Sequence, residues 1–372
     1  MPDTIVAQHN NKAGVEMSNQ RDLDRRTFLR GAAMAAGVFA AARPGLANAA
    51  SPAPSGDAPL KDVAGKVAFI TGASSGIGLG QAHVFHDAGM HVAIGYIRDD
   101  QREEAARGFT KDLDRIHWVK ADVTDRAQMK AAAADVEARF GKIHLVSANA
   151  GVGMSASAAN ASYNDYDWCT SVNQTGVFNT LREFLPYLCK HQDGAHFVTT
   201  SSMNGLLPVT NGSAGIYTMT KFAVLGLMES LRAEFDATGE RIGVSAFCPG
   251  YVSTKIGEVD KNRTGAFAGT KTEGARAPAP TTNRPAGMGF VGMDPIDAGQ
   301  RVLRAIRLNE LFIVSHGEFG PGILERHDAI VASFDPDKAP ADRVASEVVN
   351  LRNPLYPAER DRVRAHRKGR RA

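Results

Sequence analysis

The chain has 372 residues, 43% of them hydrophobic and 22% charged, which is ordinary globular composition and enough for one large α/β domain with appendages. A formal charge of +3 is too weak a field to argue for nucleic acid or another polyanionic partner. Three cysteines, with no CxxC or His-rich spacing, exclude a disulfide framework and a structural zinc site, and no metal is expected.

In chain order, the first predicted element is a presequence over residues 1–49. Arg21, Arg25, Arg26 and Arg30 form a basic region, 31–42 is a short apolar run of small residues, and Ala47-Asn48-Ala49 fits a small-x-small cleavage pattern. An apolar run of about twelve residues is too short to span a membrane, where roughly 20 are needed. The string D-R-R-T-F-L-R around Arg25 and Arg26 resembles the twin-arginine (Tat) export signal, so export machinery as a partner and a periplasmic location are expected. The plain alternative is an Ala-rich extension with a chance arginine pair and a cytoplasmic protein. Residues 50–59, rich in Pro, Gly and Ser, read as a linker.

From residue 60 onward, short β-branched and aromatic runs alternate with segments long enough for helices. Strands are predicted at 67–70, 92–96, 116–120, 143–148, 196–200, 244–248 and 311–314. Such alternation predicts an α/β fold, a doubly wound parallel sheet with helices on both faces. Cys248, inside one apolar run, reads as a small buried hydrophobe.

The first strand is followed by Thr71-Gly72-Ala73-Ser74-Ser75-Gly76-Ile77-Gly78 and then by a helix over 79–87. Glycines let this turn approach a pyrophosphate, whose charge suits free N–H groups and a helix N-terminus. The position between first strand and first helix is where a doubly wound fold binds dinucleotides. Farther on, Tyr217 and Lys221 stand at i and i+4, on one helix face. A cation beside a phenol favours phenolate, so a lowered tyrosine pKa and acid–base use near neutrality are expected. Ser201-Ser202 ends one strand 15 residues before Tyr217, and Asn149-Ala150-Gly151 ends another. Alone, each of these motifs is as well explained by turns, N-caps and surface pairs.

The joint order of these motifs is similar to that of the short-chain dehydrogenase/reductase family, in the single-domain branch that includes the 3-oxoacyl-carrier-protein reductases, over about 60–316. The resemblance implies a Rossmann fold in a single domain, followed here by a C-terminal extension over 317–372. It implies an NAD(P)-dependent oxidoreductase that interconverts a carbonyl and an alcohol, and a homodimer or homotetramer. By residue, it implies that Thr71, Gly72, Ser74, Ser75, Gly76, Ile77 and Gly78 cradle the cofactor. Asp122 and Val123 bracket the adenine, and Asn149, Ala150 and Gly151 form the floor. Pro249, Gly250, Val252 and Thr254 meet the nicotinamide end. Tyr217 becomes the proton donor or acceptor, and Lys221 tunes it and holds the ribose. Ser202 polarises the substrate oxygen, with Ser201 as a fallback, and Asn173 supports a water relay.

After the second strand, the acid that an NAD enzyme usually carries near Tyr96 is missing, and Arg98 could meet a 2′-phosphate. NADP is therefore the preferred expectation, with NAD as alternative. The long polar insert 256–293 occupies the family's substrate-lid position. Met154, Met203, Leu206, Leu207, Ile216 and Tyr251 suggest an apolar pocket for a small-molecule substrate. In the extension, helices are expected at 322–334 and 341–351, ending in a basic tail read as a solvated helix end. Two rival functions are a dinucleotide sensor without turnover and a sugar-nucleotide epimerase or dehydratase, whose usual T-G-x-x-G-x-x-G turn differs from this one.

Overall fold

Each β-branched run in the sequence becomes a strand of one parallel sheet. A computed structural model describes residues 58–208, 214–273, 291–334, 339–347 and 353–368. The expected presequence, most of the linker and residues 274–290 of the expected lid lie outside the described residues. The strands are Val67–Ile70 (β1), His91–Tyr96 (β2), Ile116–Lys120 (β3), Leu145–Ala148 (β4), Ala195–Thr200 (β5), Ile242–Cys248 (β6) and Phe312–Val314 (β7). They pair in the order β3-β2-β1-β4-β5-β6-β7, all parallel. The order reverses between β1 and β4, and a crevice opens at their C-terminal ends.

Helices cover both faces, as near-continuously apolar strands require. Gly76–Asp87 (α1) and Pro295–Leu308 (α7) lie on one face over Phe85, Ile94, Phe247 and Ile306. On the other face are Arg126–Phe140 (α3), Gly176–Cys189 (α5) and Gly215–Thr238 (α6), packed around Phe69, Phe184 and Phe197. Phe69 and Phe184 stack with centroids 4.4 Å apart. Asp99–Ala106 (α2) and Tyr163–Thr170 (α4) complete the domain. Helix α1 starts three residues before the predicted one because the Gly-rich turn itself enters the helix. Close approach of α1 and α7 needs glycine, since a Cβ on Gly80 would lie 2.0 Å from the Pro295 carbonyl oxygen.

The extension divides in two. Gly320–Ala332 (α8) buries none of its residues, whereas Leu355–Lys368 (α10) buries Leu355 and Glu359; Ala341–Ser346 (α9) lies between. Glu359 Oε1 accepts the Leu311 N–H at 2.6 Å, so a carboxylate caps the start of the outer strand. Cys169 and Cys248 are buried, Cys189 is exposed, and the three thiols are unlinked. Among the described residues, no helix is long and apolar enough to cross a membrane.

Candidate active site

A cleft of about 850 Å³ opens at the C-terminal ends of the strands and gathers most of the expected site. From the first turn it takes Gly72, Ser74, Ser75, Gly76 and Ile77; Arg98, Asp122 and Val123 follow, then Asn149, Ala150 and Gly151. Ser202, Tyr217 and Lys221 line it, as do Pro249, Gly250, Val252 and Thr254. Thr71, Gly78 and Asn173 stand behind the wall.

Those three act as braces. The Thr71 hydroxyl oxygen accepts the N–H groups of Asn149 and Ala150 at 3.0 and 2.9 Å, tying the first turn to the fourth strand. A Cβ on Gly78 would fall 2.5 Å from Asn149 Nδ2, so the helix can approach that side chain only as glycine. Gly72 and Gly76 have φ of +61° and +55°, a left-handed backbone that L side chains resist. Ser75 caps α1 without a side-chain hydrogen bond, and no acid sits in the first helical turn. The helix end therefore presents unopposed N–H groups and a positive dipole to the cleft. These features fit a dinucleotide pyrophosphate.

Asn173 lies in a π-helical turn, Ser171–Thr175, between α4 and α5. Its Oδ1 accepts the Val152 N–H at 2.8 Å and its Nδ2 donates to the Val152 carbonyl at 2.9 Å. Both ends of the amide thus hold the turn after Gly151.

Tyr217 and Lys221 share one face of α6, with Lys221 Nζ 5.4 Å from the phenol ring centroid. Lys221 is 3% exposed and donates to the Thr200 carbonyl at 2.9 Å, which fixes the ammonium between strand and phenol. Ser202 hydrogen-bonds to Tyr217 and accepts the Asn204 N–H at 3.1 Å. Ser201 donates instead to the Lys221 carbonyl at 2.9 Å, so its neighbour is the serine paired with the phenol.

The electrostatics correct the expectation of a lowered tyrosine pKa. Burial pushes Tyr217 up to about 12, with the Ser202 hydrogen bond opposing it, and burial pushes Lys221 down to about 8. Desolvation is the largest cause at both groups. Tyr217 is accordingly set as an acid that keeps its proton at neutral pH.

Arg98 faces the cleft but is held by Asp100, through Nε at 3.0 Å and through Nη2. Glu258 is close enough to add to the negative field on that guanidinium. Of the expected apolar lining, Met154, Met203 and Tyr251 reach the cleft, while Ile216 is core. Leu206 packs on the core and Leu207 lies against Gly322 of α8.

Three features escaped the sequence reading. The described part of the lid is pinned by Arg263, whose guanidinium meets Asp165 of α4 at 3.4 Å with both side chains fully buried. Arg263 also lies over the Trp168 ring at 5.6 Å, and Trp168 packs on Phe267 at 5.3 Å. Beside it, the Thr264 hydroxyl donates to Asp122 Oδ2, so this segment reaches the residue expected beside the adenine. From the extension, Phe319 enters the cleft wall, and His316, the residue just before the extension, accepts the Gly250 N–H. None of these pairs has a local pattern to announce it.

His144, His191 and Asp193 also cluster, away from the cleft. His144 Nδ1 accepts the Val67 N–H at 3.1 Å, which leaves the proton of the neutral ring on Nε2, the atom facing Asp193. With Lys142 on the same carboxylate at 2.7 Å, these are hydrogen-bonding groups and poor metal ligands.

The sequence profile described as short chain dehydrogenase matches residues 66–264. "C alpha-dehydrogenase" of Sphingobium sp. (strain NBRC 103272 / SYK-6) is 30% identical over 311 residues, 83% of this chain and 98% of that one. Oxidoreductase UcpA of Salmonella typhimurium (strain LT2) is 38% identical over 52% of this chain and 72% of its own length. Among solved structures, a short chain dehydrogenase/reductase from Burkholderia phymatum in complex with NAD has a TM-score of 0.67 at 29% identity, covering 75% of this chain and 99% of that one. The apo form of LigO from Sphingobium sp. strain SYK-6 has a TM-score of 0.59 at 30% identity, with 83% and 98% covered.

Proposed function

The chain belongs to the short-chain dehydrogenase family and is an oxidoreductase using a nicotinamide dinucleotide; on that premise we propose that it interconverts a carbonyl and a secondary alcohol on a mainly apolar substrate. The observation that carries this reading is the Ser202–Tyr217–Lys221 group, with a proton-bearing phenol hydrogen-bonded to a serine and backed by a buried ammonium. When bound, the dinucleotide supplies or takes up the hydride. Ser202 orients the substrate oxygen, and Tyr217 gives that oxygen its proton in reduction or takes it back in oxidation. Lys221 keeps a positive charge near the phenol and offers a donor to a ribose hydroxyl. Met154, Met203 and Phe319 exclude water around the reacting carbon.

NADP is the proposed preference. The second strand runs out through Gly95-Tyr96-Ile97-Arg98 with no acid at these four positions, and Arg98 can exchange Asp100 for a 2′-phosphate. The test follows nicotinamide absorbance with the full chain over a panel of ketones and secondary alcohols. Turnover is expected, with NADPH bound about tenfold more tightly than NADH and the difference lost in Arg98→Ala. Preference for NADH would mean that Asp100 keeps Arg98 occupied. Bound NADPH without turnover over the whole panel would return the protein to a sensor role.

We also propose export by the twin-arginine route, supported by Arg25 and Arg26 ahead of the 31–42 run, and a homo-oligomer, supported by family resemblance. Cell fractionation with N-terminal sequencing is expected to recover a periplasmic protein beginning at Ala50. A cytoplasmic protein retaining the arginine pair would overturn the export proposal.

A further inference from the structure

The end of β6 runs directly into Pro249-Gly250, the segment read above as meeting the nicotinamide, and this segment is held at several points. The Pro249 carbonyl accepts the Met203 N–H at 2.8 Å, and Tyr251 and Ser253 exchange backbone bonds with Met293, each at 3.0 Å. Between these backbone ties, the Gly250 N–H is taken by a side chain. It donates to His316 Nδ1 at 2.9 Å, 66 residues farther along the chain.

His316 reaches this point because β7 pairs beside β6, so the residues leaving the two strands emerge together at the C-terminal edge of the sheet. The fit is close, since a Cβ on Gly250 would lie 2.7 Å from His316 Cγ. Ser315 Oγ also lies 2.8 Å from Nδ1, on the same acceptor atom. An amide cannot give up its proton, so Nδ1 must be unprotonated, and in the neutral ring the proton sits on Nε2. Two residues later the chain turns, and Phe319 packs edge-on to His316, with centroids 6.4 Å apart, and lines the cleft. One ring therefore ties the start of the extension to the wall of the cleft.

We propose that His316 is a positioning residue that sets the Pro249-Gly250 wall for the nicotinamide half of the dinucleotide, acting through the Gly250–His316 hydrogen bond. The role rests on the reading of that wall given above. An acceptor here matters because a shift of the segment would leave a partly buried N–H without a partner, and such a loss costs more than the net worth of an ordinary hydrogen bond. Packing alone would be served by any side chain of similar volume. Positioning requires an acceptor at the place of Nδ1.

The experiment measures affinities of the full chain for NADPH, NADH and ADP-ribose, the last lacking the nicotinamide, in the parent, His316→Leu and His316→Asn. Leucine keeps volume and removes the acceptor, while the asparagine Oδ1 restores an acceptor near the Nδ1 position. His316→Leu is expected to weaken both dinucleotides by about tenfold, to leave ADP-ribose unchanged, and to be rescued by His316→Asn. Equal weakening of all three ligands would reduce His316 to a structural contact, and unchanged dinucleotide affinity in His316→Leu would overturn the proposal outright. A parent chain that binds ADP-ribose as tightly as either dinucleotide would instead overturn the reading of the wall itself.

Discussion

Replacing Tyr217 with Phe removes the proton donor and is expected to lower turnover by about 10²- to 10⁴-fold while dinucleotide affinity stays unchanged. The substitution deletes one oxygen from a half-buried ring and preserves its packing on the core, so a folding defect does not confound the result. Retained turnover would move the acid–base role elsewhere. The direction of catalysis adds a second readout. With Tyr217 pushed up to about 12, carbonyl reduction finds its acid protonated at neutral pH, whereas alcohol oxidation needs the phenolate. The phenolate fraction grows about tenfold per pH unit below that value. Oxidation by the parent chain is therefore expected to accelerate with pH through the alkaline range while reduction does not, and this contrast should vanish in Tyr217→Phe.

The second large effect is expected at the lid. Arg263→Met leaves the Asp165 carboxylate fully buried without its cation, a situation that costs about 3–5 kcal/mol in comparable pairs. The lid is a surface segment whose few buried anchors include Arg263 itself, so it should open before the domain unfolds. Hydrogen exchange is expected to lose protection across 256–273 while the strands keep theirs. Release of dinucleotide should quicken, because the Thr264–Asp122 contact goes with the segment. The double change Arg263→Met, Asp165→Leu should recover part of the protection, since no carboxylate is then left buried beside an apolar side chain. Unaltered exchange in Arg263→Met would show that Trp168 and Phe267 hold the lid by packing alone.

Much of this molecule was legible because its signals are local. All seven strands announce themselves as β-branched runs, and the Gly-rich turn, the Ser201-Ser202 pair and the Tyr217–Lys221 spacing are each readable within a few residues. The cleft brings those pieces together as expected. What stayed hidden depends on partners far apart in the chain. Arg263 and Asp165 are separated by 98 residues, and His316 and Gly250 by 66, with no periodicity linking either pair. The tyrosine pKa was misread for a related reason. Helical spacing reveals the neighbouring charge, but burial, the largest cause of the shift, is a property of the assembled cleft. The link between the Asn173 amide and Val152, 21 residues apart, likewise has no local pattern.

Helix α10 gives the sheet an ending. Most open sheets finish in a strand whose outer peptide groups can accept another strand, and this is where sheets of separate molecules tend to fuse. Here Glu359 occupies the first amide of that border, and Val363, His366 and Arg367 line a small cavity together with Phe312 and Val314 on its flank. Growth of the sheet across this margin into a neighbouring molecule would require the terminal helix to leave. Association between copies, where it occurs, is thereby directed toward helical surfaces, and this helix serves as a guard against unplanned strand exchange.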